Sequence, residues 1–86
     1  MKTIKKAFKE ELIGRKIKVI DAKNRTLVGI QGIVIDDTKF TLLIDTPHGV
    51  KRVIKAQCVF ELDLDGLKIK AEGRELIGTP DERLAS

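Results

Sequence analysis

Eighty-six residues, 42% hydrophobic and 35% charged, fit one domain and exclude a disordered chain. A single cysteine excludes an internal disulfide, and one histidine, one cysteine and one methionine are too few for a zinc site or a histidine-based catalytic set. No apolar run approaches the roughly 20 residues of a membrane helix, nothing at the start reads as a secretory signal, and a net charge of +4 favours an anionic partner in a cytoplasmic setting.

In chain order, residues 2–12 predict a helix. Ile4, Phe8 and Leu12 recur at i, i+4 and i+8, with Lys2, Lys5, Lys6 and Lys9 off that stripe, and Gly14 is its stop. From Lys16 the period changes from 3.6 to 2. Ile17 and Val19 oppose Lys16 and Lys18; Phe40, Leu42 and Ile44 oppose Thr41, Leu43 and Asp45. Cys58, Phe60 and Leu62 oppose Val59, Glu61 and Asp63; Leu67, Ile69 and Ala71 oppose Lys68 and Lys70. Residues 30–35, apolar on both faces apart from Gln31 and Gly32, predict a central strand covered on both sides. Turn signals separate the runs at 22–25, 36–39, Thr46-Pro47-His48-Gly49 and Asp63-Leu64-Asp65-Gly66. Eleven Ile and six Val suit strands.

Short loops imply an antiparallel meander of five or six strands, bent at Gly29 and Gly32 into a small, strongly curved barrel. Thr79-Pro80-Asp81-Glu82 is a capping box with proline at the first helical position, so a short C-terminal helix follows. The organisation expected is one mainly β domain over 1–86: an N-terminal helix and lead-in (1–14), a barrel (15–72) and a C-terminal extension (73–86).

Catalytic and metal-binding constellations do not assemble. Asp63-Leu64-Asp65-Gly66 resembles the start of a calcium loop, but the twelfth position is Arg74 instead of glutamate. Asp36-Asp37 reads as a turn, His48 as a solvated loop residue and Cys58 as a small buried hydrophobe. The remaining chemistry is basic. Lys68 and Lys70 are expected to pair with Glu61 and Asp63 across a hairpin. Lys16, Lys18, Arg25, Lys39, Lys51, Arg52, Lys55, Arg74 and Arg83 are the candidate RNA contacts. Lys51 and Lys55 share a strand face, taken as outward, about 13 Å apart at roughly 3.3 Å per residue. Phe40 and Phe60 run in phase with the core, so stacking on exposed aromatics is not expected, and recognition of backbone and shape in a folded RNA fits better.

Four segments in order carry a resemblance to a known family. They are Glu11-Leu12-Ile13-Gly14 before a Lys/Val strand; Leu27-Val28-Gly29-Ile30-Gln31-Gly32-Ile33-Val34-Ile35-Asp36 with Thr38, Thr41, Leu42 and Ile44; Lys55 and Cys58-Val59-Phe60-Glu61-Leu62; and Gly73, Leu76, Gly78 and Pro80-Asp81-Glu82-Arg83-Leu84. Over residues 7–84 the chain resembles the archaeal ribonuclease P protein component 1 family.

The resemblance implies an Sm-like, strongly bent antiparallel barrel. It also implies a non-catalytic subunit that binds the ribonuclease P RNA, which itself removes the 5′ leader of precursor tRNA with magnesium held on the RNA. Implied partners are a zinc-ribbon subunit in a heterodimer, the other ribonuclease P proteins and, indirectly, precursor tRNA. Ile4, Phe8 and Leu12 then pack either on the chain's own barrel or against the zinc-ribbon subunit. An Sm-like ring protein is the alternative, but Ile54-Lys55-Ala56-Gln57 lacks the basic-Gly pair of a uridine pocket. A stand-alone nuclease would need clustered carboxylates and metal ligands.

Overall fold

In the computed structural model, which describes residues 11–85, the period-two runs become antiparallel strands of one sheet. They are β1 (Lys16–Ala22), β2 (Gln31–Asp37), β3 (Thr41–Thr46), β4 (Gly49–Ile54), β5 (Cys58–Leu64) and β6 (Leu67–Glu72). Short 3-10 turns at Arg25–Leu27, Lys55–Gln57 and Gly73–Leu76 punctuate them, and a C-terminal helix, α1, spans Pro80–Ala85. Residues 1–10, and with them most of the helix expected at 2–12 and the positions of Ile4 and Phe8, lie outside the described residues.

The strand order is β4-β3-β2-β1-β5-β6. All steps but one are meander steps; the exception is the passage from β4 to β5, four places apart. In a flat sheet those places span about 19 Å, whereas the four Cα steps from Ile54 to Cys58 reach at most about 14 Å. The sheet must therefore curl. Register shifts between Val19 and Asp21 and between Val34 and Asp36 add local twist. The curled sheet stays unclosed: among the described residues β4 and β6 are its edges.

At Gly32 the main chain of β2 passes close against that of β3. A Cβ there would lie 2.0 Å from the carbonyl oxygen of Asp45 and 3.1 Å from the Ile44 side chain. Backbone, not a yielding side chain, blocks it. Gly32→Val is expected to cost about 1–3 kcal/mol or more, lowering Tm by at least about 4 °C for a domain this size. An unchanged Tm would show that β2 and β3 can separate freely.

The inward face collects Val19, Val34, Leu42, Ile44, Phe60, Leu62 and Leu76, all fully buried. Leu12 is among them and packs on the chain's own core. β2 is central in hydrogen bonding but is not covered on both sides: Ile33 and Ile35 stand exposed on its outward face. The β5–β6 connection is a two-residue turn in which Asp65 (φ 57) and Gly66 (φ 88) are both left-handed, the geometry that suits an Asp-Gly hairpin. The capping box also forms. Glu82 Oε1 accepts from the Thr79 amide at 2.8 Å, and Thr79 Oγ1 accepts from the Glu82 amide at 3.2 Å. The bond from the Thr79 amide holds the Glu82 carboxyl below its ordinary range.

Candidate nucleic-acid interface

The outward face of β1–β5–β6 carries a ladder of charge. Lys16 lies opposite Asp63, which lies opposite Lys68; Lys18 lies opposite Glu61, which lies opposite Lys70. The register sets Lys68 and Lys70 opposite acidic residues, as expected, and Lys68 Nζ lies 3.9 Å from Glu61 Oε1. Lys16 and Lys18, distant from acids in the sequence, face the same acids from the other side. An exposed pair of this kind is worth little on its own. Four lysines against two carboxylates leave the face cationic.

The other end of the same three strands opens into a cleft lined by Asp21, Lys23, Arg25, Gln57, Val59, Glu72, Gly73 and Arg74. Register places Asp21, Val59 and Glu72 in one row. Asn24 Oδ1 caps the 3-10 turn by accepting from the Thr26 amide at 3.1 Å, which aims Arg25 back over β1, 3.1 Å from Asp21. Arg74 enters from the opposite wall, 3.6 Å from Glu72. The structure thus brings together Arg25 and Arg74, 49 residues apart in the numbering, and adds Lys23, which sequence reasoning missed. Its signal is faint: a lysine in a turn, with its amide bonded to the Gln57 carbonyl at 3.0 Å. Across face and cleft, seven cations (Lys16, Lys18, Lys23, Arg25, Lys68, Lys70, Arg74) stand against four carboxylates (Asp21, Glu61, Asp63, Glu72). The excess of three compares with +1 for residues 11–86 together; the other three of the chain's +4 lie in residues 1–10.

Two candidate contacts are not on the surface at all. Lys55 is fully buried. Lys51 and Lys55 do share a face, but Val53 lies between them and pairs with Leu42, so that face is the core face. Lys51 escapes burial near the open end, beside Thr46 and His48, whereas Lys55 is drawn inside. Its Nζ donates to Asp37 Oδ1 at 2.7 Å, to the Thr38 carbonyl at 2.6 Å and to the Gly78 carbonyl at 3.1 Å. Burial pushes the Lys55 ammonium below its ordinary 10.5, opposed by Asp37. Arg83 is buried beside it, clasping Asp37 through Nη1–Oδ1 (3.2 Å) and Nη2–Oδ2 (2.6 Å) and donating to the carbonyls of Leu76 and Gly78. Asp37 is therefore a buried counter-ion and not a turn residue.

The remaining candidates are dispersed. Arg52 is exposed on the opposite side of β4 from Lys51, paired with Leu43. Lys39 is exposed in the β2–β3 connection, its ammonium 5.6 Å from the centroid of Phe40. Phe40 itself is 55% exposed, contrary to its alternation with Leu42 and Ile44. Strand β3 begins after it, so the parity of the strand no longer governs its direction. Cys58 is buried, which pushes its thiol up.

Comparison with known proteins adds an independent line. Residues 5–86 match the family model described as ribonuclease P/MRP, subunit p29. The chain is 46% identical over 78 residues to ribonuclease P protein component 1 of Methanocaldococcus jannaschii, covering 90% of this chain and 82% of that one. It is 43% identical over 84 residues to the protein of the same name from Staphylothermus marinus, covering 95% and 91%. Among solved structures, Mth11, described as a homologue of human RNase P protein Rpp29, aligns with a TM-score of 0.62 at 34% identity, covering 86% of this chain and 97% of that one.

Proposed function

The chain belongs to the ribonuclease P/MRP subunit p29 family, and we propose that it is a non-catalytic subunit that binds and stabilises the ribonuclease P RNA through the outward face of β1–β5–β6. In this reading the RNA, with its magnesium, removes the 5′ leader of precursor tRNA. The protein's cations offset phosphate repulsion as the RNA compacts. The curled sheet serves as an Sm-like barrel. A zinc-ribbon subunit is the heterodimer partner, the other ribonuclease P proteins complete the assembly, precursor tRNA is met indirectly, and the cytoplasm is the setting.

The observation that supports this interface is the excess of three positive charges gathered across this face and its adjoining cleft, where residues 11–86 as a whole carry only +1. Backbone contact of that kind reports itself in salt dependence, since each phosphate neutralised releases counterions. Replacing both Lys16 and Lys18 by Ala is expected to weaken binding to the ribonuclease P RNA and to reduce the log-affinity against log-salt slope by about 0.7–0.9 per lost contact. Both residues are exposed, so the fold should be unaffected. The Lys51→Ala, Arg52→Ala pair serves as the control. If that pair lowers the slope and the β1 pair does not, the RNA face lies along the β4 edge instead.

A further inference from the structure

Phe40 is the exposed aromatic ring among the described residues; Phe60 is wholly in the core. An unburied phenylalanine on a mobile loop would be of little note, but this one stands on a fixed base. Three consecutive carbonyls beneath it are engaged. Thr38 O accepts from Lys55 Nζ at 2.6 Å, Lys39 O from the Gly78 amide at 2.8 Å and Phe40 O from the Lys55 amide at 2.9 Å. Across the mouth of the connection the Thr38 amide donates to the Thr41 carbonyl at 3.0 Å, and the two threonine hydroxyls lie 2.6 Å apart. These bonds fix the main chain that carries the exposed ring, and the buried Asp37–Lys55–Arg83 cluster lies beneath it.

The ring also carries a cation. The Lys39 ammonium lies over one face at 5.6 Å, which leaves the second face for another planar group. A ring on a main chain already fixed costs little backbone freedom when its ligand arrives. The adjoining cation suits a group that brings a phosphate with it. A nucleobase on an unpaired stretch of RNA has both properties, and stacking of this kind tolerates any base.

We propose that Phe40, with Lys39 beside it, is a stacking platform for one unpaired base of the bound RNA. The proposal rests on the RNA-binding reading above and adds to it a contact with a single-stranded segment, separate from the phosphate contacts of β1–β5–β6.

The chain contains no tryptophan and no tyrosine, so Phe40→Trp creates a single fluorescent reporter. Two probes are compared: an oligouridylate of about 12 nucleotides, within the usual single-strand site sizes, and a blunt RNA duplex of the same length. Phe40→Trp fluorescence is expected to be quenched by the oligouridylate and much less by the duplex. Phe40→Ala is expected to weaken oligouridylate binding about 5- to 150-fold, the equivalent of one lost stack. Its salt slope should not change, because no charge is removed. Phe40→Ala should keep the parent Tm. Equal binding by Phe40→Ala and the parent chain would overturn the proposal while leaving RNA binding intact, as would equal losses on both probes. Retained RNA affinity with loss of a protein subunit from the assembly would assign the ring to a protein contact. If the parent chain binds neither probe nor the ribonuclease P RNA, the RNA-binding reading itself fails.

Discussion

Asp37→Ala is expected to cost about 3–5 kcal/mol, the penalty for leaving buried charge without its partner. The Asp37 carboxylate is fully enclosed and faces Lys55 and Arg83, whose side chains are 0% and 5% exposed. Two positive charges meet one negative charge. The carbonyl dipoles of Thr38, Leu76 and Gly78 make up the difference. Without the carboxylate, the two cations would lose their buried counter-ion, leaving carbonyl dipoles and the more distant charge of Glu82 to offset them. Small domains hold about 5–15 kcal/mol in total, so the variant should unfold at a much lower urea concentration at pH 7. Lys55→Met is expected to cost less, since it leaves a neutral, two-pronged Asp37–Arg83 pair. A loss below about 1 kcal/mol for Asp37→Ala would show that the cluster is not held together by charge.

Asp37→Asn separates charge from shape. It keeps the volume and one acceptor but removes the main group that opposes the burial shift of Lys55, leaving only the weaker pull of Glu82. The folded state then holds the Lys55 proton less tightly than the unfolded chain does, whose value stays near the ordinary 10.5. Unfolding takes up protons in that interval, so stability should rise with pH from the folded value toward 10.5. The parent chain should show a weaker rise over the same range.

How much of this was legible in the residues follows from what alternation can and cannot report. Period two says which side chains share a face; it does not say which face is inward. In β4, Val50 and Ile54 vote for one side and Val53 for the other, and the pairing of Val53 with Leu42 decides it. That contact is nonlocal, so Lys55 reads as outward until β3 is in place. Its counter-ion, Asp37, is 18 positions away, and nothing near Lys55 announces it. Phe40 fails differently, because it sits just before its strand. Lys16 and Lys18 look free of acids because their neighbours, Asp63 and Glu61, arrive from β5. By contrast, features set by a few adjacent residues were readable: the Asp65-Gly66 turn and the Thr79–Glu82 capping box. Local chemistry determines these, and tertiary packing does not override them.

Gly73→Ala is expected to be the most damaging small substitution among the described glycines. A Cβ at Gly73 would lie 1.5 Å from the Lys55 carbonyl oxygen, 2.5 Å from its carbon and 2.8 Å from the Cys58 carbonyl oxygen. The two 3-10 turns, Lys55–Gln57 and Gly73–Leu76, pack backbone against backbone there, and only glycine permits that approach. Relief requires moving the Lys55 main chain, whose side chain is tied into the buried cluster. The cost should therefore reach or pass the upper end of the roughly 1–3 kcal/mol usual for overpacking. Gly66 is the useful contrast. Open space surrounds it, and only its φ of +88 resists substitution, a penalty of about 1–2 kcal/mol. Chemical denaturation of Gly73→Ala and Gly66→Ala side by side tests the ranking, and comparable losses would show that the two turns can part. Gly73 also forms the wall of the cleft that presents Arg74. If Gly73→Ala remains folded, its displaced turn should carry Arg74 away from Arg25. RNA affinity should then fall while the Lys16–Lys18 face stays in place.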